Sequence, residues 1–426
     1  MNPLRQKMMA GAAALLPAIM MSAAVGAAEP SYEGKRITLF ITSGTGGSVD
    51  LMNRLGARHL HKHLPGRPSV ISKNMTGAGG IVGMNYIYNQ APKDGTELGG
   101  SLMSVPYAPL FYGKGKKIAF DPLKLNWIGS PAKFVAVSIA WHTAPVKRWQ
   151  DLLEKEMIVG SAGIGSSSTV DSILLRNILG FKFKVIMGYP SGSDIDLAMI
   201  RGETQGRATT AWAGITSRYP QWLTEKQVTI LYQMGLEPHP TVPKDVPLLI
   251  DQIDDPEKKA LLKLKMASYE TGYPVYAPPG LPADVVAVLR KALAATYRDP
   301  EYLADAKRAR VEVGPISGEK LDKIIGEADG APEELKEKLR AALKPDGAPL
   351  AKVKTVKASS ALSEVAKKGK VIAFERNGKK ESARIGKKTK ITIAGKKAKG
   401  PDLKAGMACD IEYYGDMGQA KAVSCK

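Results

Sequence analysis

Two glycine-rich stretches, Ser43-Gly-Thr-Gly-Gly-Ser-Val-Asp50 and Asn74-Met-Thr-Gly-Ala-Gly-Gly-Ile-Val-Gly83, each run from a β-rich segment into a helical pattern. Loops of this kind suit the capture of an anion. Glycine lets the main chain approach a ligand closely and adopt positive φ, and the first turn of the following helix offers unpaired N–H groups at the positive end of its dipole. The expected contacts to a small carboxylate come from Ser43, Gly44, Thr45, Gly46, Gly47 and Ser48 on one side, and from Thr76, Gly77, Ala78, Gly79 and Gly80 on the other. Asp50 falls in the first turn of its helix, where a carboxylate caps N–H groups. A direct contact from Asp50 to the ligand is the alternative, although it would repel an anion.

The same strand-loop-helix pattern recurs twice further on, at Gly163-Ile-Gly-Ser166-Ser167-Ser-Thr169 and at Gly188-Tyr189-Pro-Ser191-Gly192-Ser-Asp194. Trp212, flanked by alanines, is either core or an aromatic wall for the ligand. Apparatus for catalysis is missing from the sequence. There is no G-x-x-x-x-G-K-[ST] phosphate loop and no G-x-S-x-G nucleophile elbow, and the first glycine loop lacks the third glycine of a dinucleotide fingerprint. His59, His61 and His63 invite a metal reading, but on a helix only His59 and His63 share a face, so a solvated helix surface is expected, with no metal and no cofactor.

Strands alternating with helices at this spacing predict an α/β protein in which ligands bind at the carboxyl ends of parallel strands. Pro-rich connectors divide it into two lobes joined by two or three crossings. The N-terminus, with Arg5 and Lys7 ahead of an apolar Met8–Val25 run and small residues at Ala27 and Ala28, reads as a signal peptide over residues 1–28. The expected order is then lobe I over 29–130, lobe II over 131–234, the second part of lobe I over 235–345, a linker over 346–366 and a small basic β module over 367–426. Five short strands in that module could close into an OB-like barrel.

Residues 351–426 carry 19 Lys/Arg against 7 Asp/Glu, a net of +12 out of +20 for the chain. The basic excess therefore lies in the tail, as a solvated face or as a docking surface for an acidic partner. Export argues against nucleic acid. Cys409 and Cys425 are the only cysteines, and in an oxidising compartment they are expected to pair, with a loop-closure contribution of about 3 kcal/mol.

Taken in order, Gly47-Ser-Val-Asp50 with Arg54, Asn74-x-x-Gly-Ala-Gly-Gly-x-x-Gly83, Ala91-Pro-x-Asp-Gly-Thr96, Gly163-x-Gly-Ser166, Gly188-Tyr189 with Gly202-Glu203, and Ala277-Pro-Pro-Gly-Leu-Pro282 resemble the Bug family over residues 30–345. These are periplasmic solute receptors of tripartite tricarboxylate transporters. The resemblance implies a type II periplasmic-binding-protein fold with a hinge, a di- or tricarboxylate or aromatic acid as ligand, membrane permease subunits as partners, a periplasmic location and a monomer. Carried over by position, Gly163, Ser166, Ser167, Thr169, Tyr189, Ser191 and Gly192 close on the ligand from lobe II. Val49 and Thr76 depart from the usual residues, and Thr169 stands where many relatives have histidine. The β module lies outside the usual family length. A sensing or envelope-binding adaptor, with the basic module docking a partner, is the other expectation.

Overall fold

The computed structural model describes residues 30–113, 115, 117–344, 351–352, 355–386 and 389–426. The expected signal peptide lies outside these residues. The chain opens with β1 (Arg36–Ile41), α1 (Ser48–Leu60), β2 (Ser69–Asn74), α2 (Ile81–Gln90), β3 (Glu97–Gly100), α3 (Ala108–Tyr112) and β4 (Asn126–Ser130). It crosses to β5 (Ala136–Trp141), β6 (Met157–Ser161), α4 (Ser167–Leu179), β7 (Phe183–Met187), α5 (Gly192–Ile200), β8 (Gly206–Ala211), α6 (Trp212–Arg218), α7 (Pro220–Thr224) and β9 (Val228–Met234). The return runs through α8 (Pro256–Thr271) to β10 (Val275–Ala277), α9 (Ala283–Thr296), α10 (Pro300–Arg308), β11 (Ile316–Ser317), α11 (Gly318–Asp329) and α12 (Glu333–Ala342).

Each lobe is one sheet with helices packed on it. The first sheet has the order β2-β1-β3-β10-β4-β11, and the second has β9-β5-β8-β6-β7, extended at β7 by β12 (Ala351–Lys352). In both, a leading strand lies parallel between two others, and the strand that enters after a crossing is antiparallel: β10 in the first sheet and β5 in the second. This is the two-lobed type II periplasmic-binding-protein fold. The arrangement aims the carboxyl ends of β1, β2, β6 and β7, with the loops that follow them, at one shared cleft. β1 is buried on both faces, with Ile37, Leu39 and Ile41 on one and Thr38 and Phe40 on the other, while α1 buries Val49, Met52, Leu55 and Leu60. Burial of strand and helix thereby holds the loop between them at a fixed position.

The tail is a barrel built from β13 (Val356–Ala366), β14 (Val371–Arg376), β15 (Lys379–Arg384), β16 (Lys390–Ile393), β17 (Lys396–Lys397), β18 (Ala408–Tyr413) and β19 (Gly418–Cys425). Strands β13, β14, β15, β19 and β18 form a closed ring, with β15 and β19 parallel. Taken in chain order these five close as one, two, three, five, four, one, the topology of an OB-like barrel. Leu362, Ile372, Phe374, Ile411, Tyr413 and Val423 fill it, and a disulfide joins Cys409 to Cys425 across β18 and β19. The stretch expected as linker up to residue 366 is corrected here. Val356–Ala366 is the longest strand of the barrel, masked in sequence because only Ala358 and Leu362 are buried along it.

The histidine expectation also changes. His59 is buried and its Nε2 lies 2.9 Å from Asp305, while His63 Nε2 lies 2.9 Å from Asp299. His59 therefore ties α1 to α10, and the partly exposed His63, just past α1, ties the chain to the residue that caps α10. No group of three or more potential metal-ligating His, Cys, Asp or Glu occurs among the described residues. Between the lobes, α8 sends Lys265 to Asp171 of α4 at 2.5 Å, both side chains fully buried, and Tyr269 donates to the same carboxylate at 2.8 Å. Burial pulls the Lys265 ammonium below its ordinary range against the attraction of Asp171.

Two stability predictions follow from these pairs. Lys265→Met should cost about 3–5 kcal/mol in denaturant unfolding, because it strands the Asp171 charge, and adding Asp171→Leu should recover most of that loss. Asp299 is held at about 2: burial opposes its ionisation, but His63 and the N–H groups of Glu301 and Tyr302 prevail. Its contribution is thus complete above the unfolded value of 3.8 and lost as pH falls through about 2. Asp299→Asn, which keeps the helix cap, should open a stability gap at neutral pH that closes across that window in urea titrations.

Candidate functional site

Four loops converge on a cavity of about 500 Å³ between the lobes. Loop one, after β1, is fixed from beneath. Asp50 accepts from the Gly46 N–H at 3.1 Å, from Arg54 at 2.7 Å and from Asn74 Nδ2 at 2.8 Å, and Asn74 also donates to the Ser43 carbonyl at 2.9 Å. Loop two, after β2, takes positive φ at Gly77, Ala78, Gly79 and Gly80. In loop three, after β6, the Ser166 and Thr169 hydroxyls donate to the Gly163 carbonyl at 2.7 and 3.0 Å. Ser191 caps α5 in loop four, accepting from the Asp194 N–H.

The loops of the two lobes touch main chain to main chain. The Gly165 N–H donates to the Ala78 carbonyl at 3.1 Å, and the Ser104 hydroxyl donates to the Gly165 carbonyl at 2.7 Å. A Cβ on Gly79 would stand 2.5 Å from Ser166 N and 2.7 Å from Gly163 O, and one on Gly44 would stand 2.8 Å from Pro190 O. Glycine is therefore required where the lobes meet. The N-termini of α1, α2, α4 and α5 all open toward the cavity, each of these helices being nine residues or longer, so their dipoles add a positive potential there.

Most of the residues expected from sequence line this cavity: Ser43, Gly44, Thr45, Gly47, Ser48, residues 76–80, Gly163, Ser166, Ser167, Tyr189, Ser191 and Gly192. Four do not. Gly46 and Asp50 are turned into the loop they brace, and Thr169 is spent on the Gly163 carbonyl. Trp212 is core, packed with Val137, Ile139 and Trp222, its indole N–H donating to Thr241 at 3.0 Å.

Sequence reasoning missed the charged wall. Arg207 of β8 and Arg218 at the end of α6 both line the cavity and share one carboxylate, Asp196, at 2.8 and 2.9 Å. Their side chains are 8% and 20% exposed, and Asp196 is 3% exposed. Arg207 Nε, Arg218 Nε and Arg218 Nη1 are buried with no hydrogen-bond partner among the described residues. Two guanidinium groups share one carboxylate in the cavity wall, which leaves a surplus positive charge at the cavity and three buried donors without partners, a costly arrangement. The clue available in sequence was an arginine inside an otherwise small-residue strand, Gly206-Arg-Ala-Thr-Thr210. Also unforeseen, Gly386, Tyr414, Gln419, Ala420 and Lys421 of the barrel line the same cavity.

Residues 52–208 match the profile of the tripartite tricarboxylate transporter family receptor, TctC. No curated protein matches the chain by sequence. Among solved structures the chain is similar to the periplasmic binding protein BugD, with 21% identity, a TM-score of 0.59 and coverage of 72% of this chain and 97% of that one. It is similar to MatC from Rhodopseudomonas palustris with bound malate, at 19% identity and TM-score 0.57 over 72% and 99% of the two chains. Rpa4515 of R. palustris with adipate gives 17% and 0.56 over 71% and 97%. At such identities the likeness speaks to the fold, and more than a quarter of this chain lies outside each alignment.

Because the lobes meet at Gly79, where φ is +69°, Gly79→Leu should leave a folded protein that cannot close. Calorimetry should then detect no ligand binding, and small-angle scattering should report a more open particle. Wild-type affinity in this variant would contradict the assignment of the loops.

Proposed function

We propose that this protein is an extracytoplasmic solute receptor of the Bug type, which captures a small organic carboxylate by hinge closure and hands it to the permease of a tripartite tricarboxylate-type transporter. The single observation that carries the reading is the surplus positive charge of Arg207 and Arg218 in the wall of a cavity that the glycine loops and helix N-termini also line. A carboxylate supplies what that wall lacks: a negative charge and acceptors for planar N–H donors. The proximal contacts proposed are the main chain of residues 43–48 and 76–80, with Gly163, Ser166, Ser167, Tyr189, Ser191 and Gly192 closing from the second lobe.

The match of residues 52–208 to the TctC receptors supports the transport assignment, and the malate and adipate held by two proteins of similar fold support the ligand class. The proposed location is the periplasm. No helix among the described residues is long and apolar enough to cross a membrane, and the N-terminal signal pattern accounts for export. Closure follows from contacts available only when both lobes reach the ligand, and a dissociation constant near micromolar, about −8 kcal/mol, is expected.

Thermal unfolding against a panel of mono-, di- and tricarboxylates and aromatic acids tests this reading, since a ligand that binds only the native state raises the midpoint. A selective rise is expected, and Arg218→Met should weaken the responding acid by about 1.5–3 kcal/mol, the usual worth of a hydrogen bond to a charged group. No rise with any acid would move the assignment to an envelope-binding adaptor.

A further inference from the structure

The barrel is not an appendage set apart from the cleft. It grips both ends of α5, the helix whose N-terminal loop belongs to the ligand site. At the C-terminal end, Arg201 donates to the Asp416 carbonyl at 2.6 Å and to the Tyr414 carbonyl at 3.0 Å. The approach there is tight: a Cβ on Gly415 would stand 2.6 Å from Glu203 Oε1 and 2.9 Å from Arg201 Nε. At the N-terminal end, Arg384 of β15 pairs with Asp194, whose side chain is 6% exposed.

Asp194 is itself a link in a longer chain. The Ser191 hydroxyl donates to Asp194 Oδ2 at 2.6 Å and lies 2.8 Å from the Ser193 hydroxyl, which donates to the Thr45 carbonyl of the first lobe at 3.4 Å. A polar path therefore runs from the barrel, through the first turn of α5, to the loop that meets it across the cleft. The barrel also faces the cavity with Tyr414, Gln419 and Lys421. Lys421 already pairs with Glu412 at 2.7 Å, but its side chain is 57% exposed and an ammonium offers three donors. This face holds a phenol, an amide and an ammonium, all able to donate to a second anionic group.

Resting on the carboxylate reading above, we propose that the barrel is the third wall of the ligand cleft, docked along α5 by Arg384–Asp194 and Arg201. Its Tyr414, Gln419 and Lys421 meet the distal end of the ligand and select dicarboxylates long enough to reach them. The lobes hold the proximal carboxylate, and the barrel sets the length and polarity of the rest.

The experiment uses the full chain and two readouts. Calorimetry with succinate, adipate and suberate compares wild type, Arg384→Glu, which sets like charges together at Asp194, and Lys421→Met, which leaves the docking contacts in place. In both variants the longest acid that wild type binds should weaken by about tenfold more than the shortest, the loss of one charge-assisted hydrogen bond. Equal changes for all acids, or none, would overturn the third wall. Hydrogen exchange over Gly192–Ile200 reads the docking without any ligand. Faster exchange in Arg384→Glu is expected, and exchange unchanged from wild type would refute the docking. Should the wild-type chain bind none of the acids, the carboxylate reading falls and the third wall falls with it, while exchange still decides whether the barrel is docked. If Arg384→Glu does not fold, Lys421→Met alone carries the affinity test and Arg201→Ala the exchange test.

Discussion

The cleft depends on two places where the main chain of one lobe meets the main chain of the other. Loop two meets loop three at Gly79 and Gly163, and loop one meets loop four at Gly44 and Pro190. At these points there is no room for a side chain. A Cβ on Gly163 would stand 2.3 Å from Gly79 N, well inside van der Waals contact. Glycine serves two purposes here, positive φ in loop two and close interlobe approach, and the second explains why the glycines are paired across the cleft.

Charge is distributed to match. Among the described residues the buried aspartates each have partners: Asp171 has Lys265 and Tyr269, Asp50 has Arg54, Asn74 and the Gly46 N–H, Asp196 has two arginines, Asp194 has Arg384 and Ser191, and Asp299 has His63 and Lys62. At the cavity the surplus charge is cationic, from Arg207 and Arg218 against the single Asp196. A fully buried Lys265–Asp171 pair adds little net stability over an apolar replacement, but it fixes α8 against α4 in one arrangement.

The loops were legible in the sequence because main-chain binding has a side-chain signature, namely small residues between a strand and a helix. The four strand-loop-helix units and the all-β character of the tail could be read from period and turn chemistry, whereas the antiparallel strands β5 and β10 emerge only in the structure. Arg207 and Arg218 were harder to read, since they share Asp196 only once α5, β8 and α6 are brought together, and the one local clue was an arginine in a small-residue strand. Trp212 was undecidable for a similar reason: only the packing of α6 on β5 determines whether its ring faces the core. His59 and His63 looked solvated because their carboxylate partners lie more than two hundred residues away on α10. Strand Val356–Ala366 was hidden by its thin apolar content, with the ring closure of the barrel holding it in place.

The basic excess of the tail now has a location to be weighed against. Much of it is exposed lysine on the barrel surface, where charges are solvated and screened within about 10 Å at ordinary ionic strength. Arg384 differs, because its partner Asp194 is buried and already shared with Ser191. A cation held there is screened much less than the surface lysines, and it neutralises a carboxylate that would otherwise oppose anion capture at the N-terminus of α5. Without the barrel, Asp194 would keep its Ser191 hydrogen bond but lose its cation, leaving an unneutralised carboxylate beside the fourth loop. An all-β module joined to the cleft by one arginine on a buried aspartate, and by carbonyls on Arg201, is positioned to respond to whatever orders the first turn of α5. That turn already reaches the first lobe, where the Ser193 hydroxyl donates to the Thr45 carbonyl at 3.4 Å.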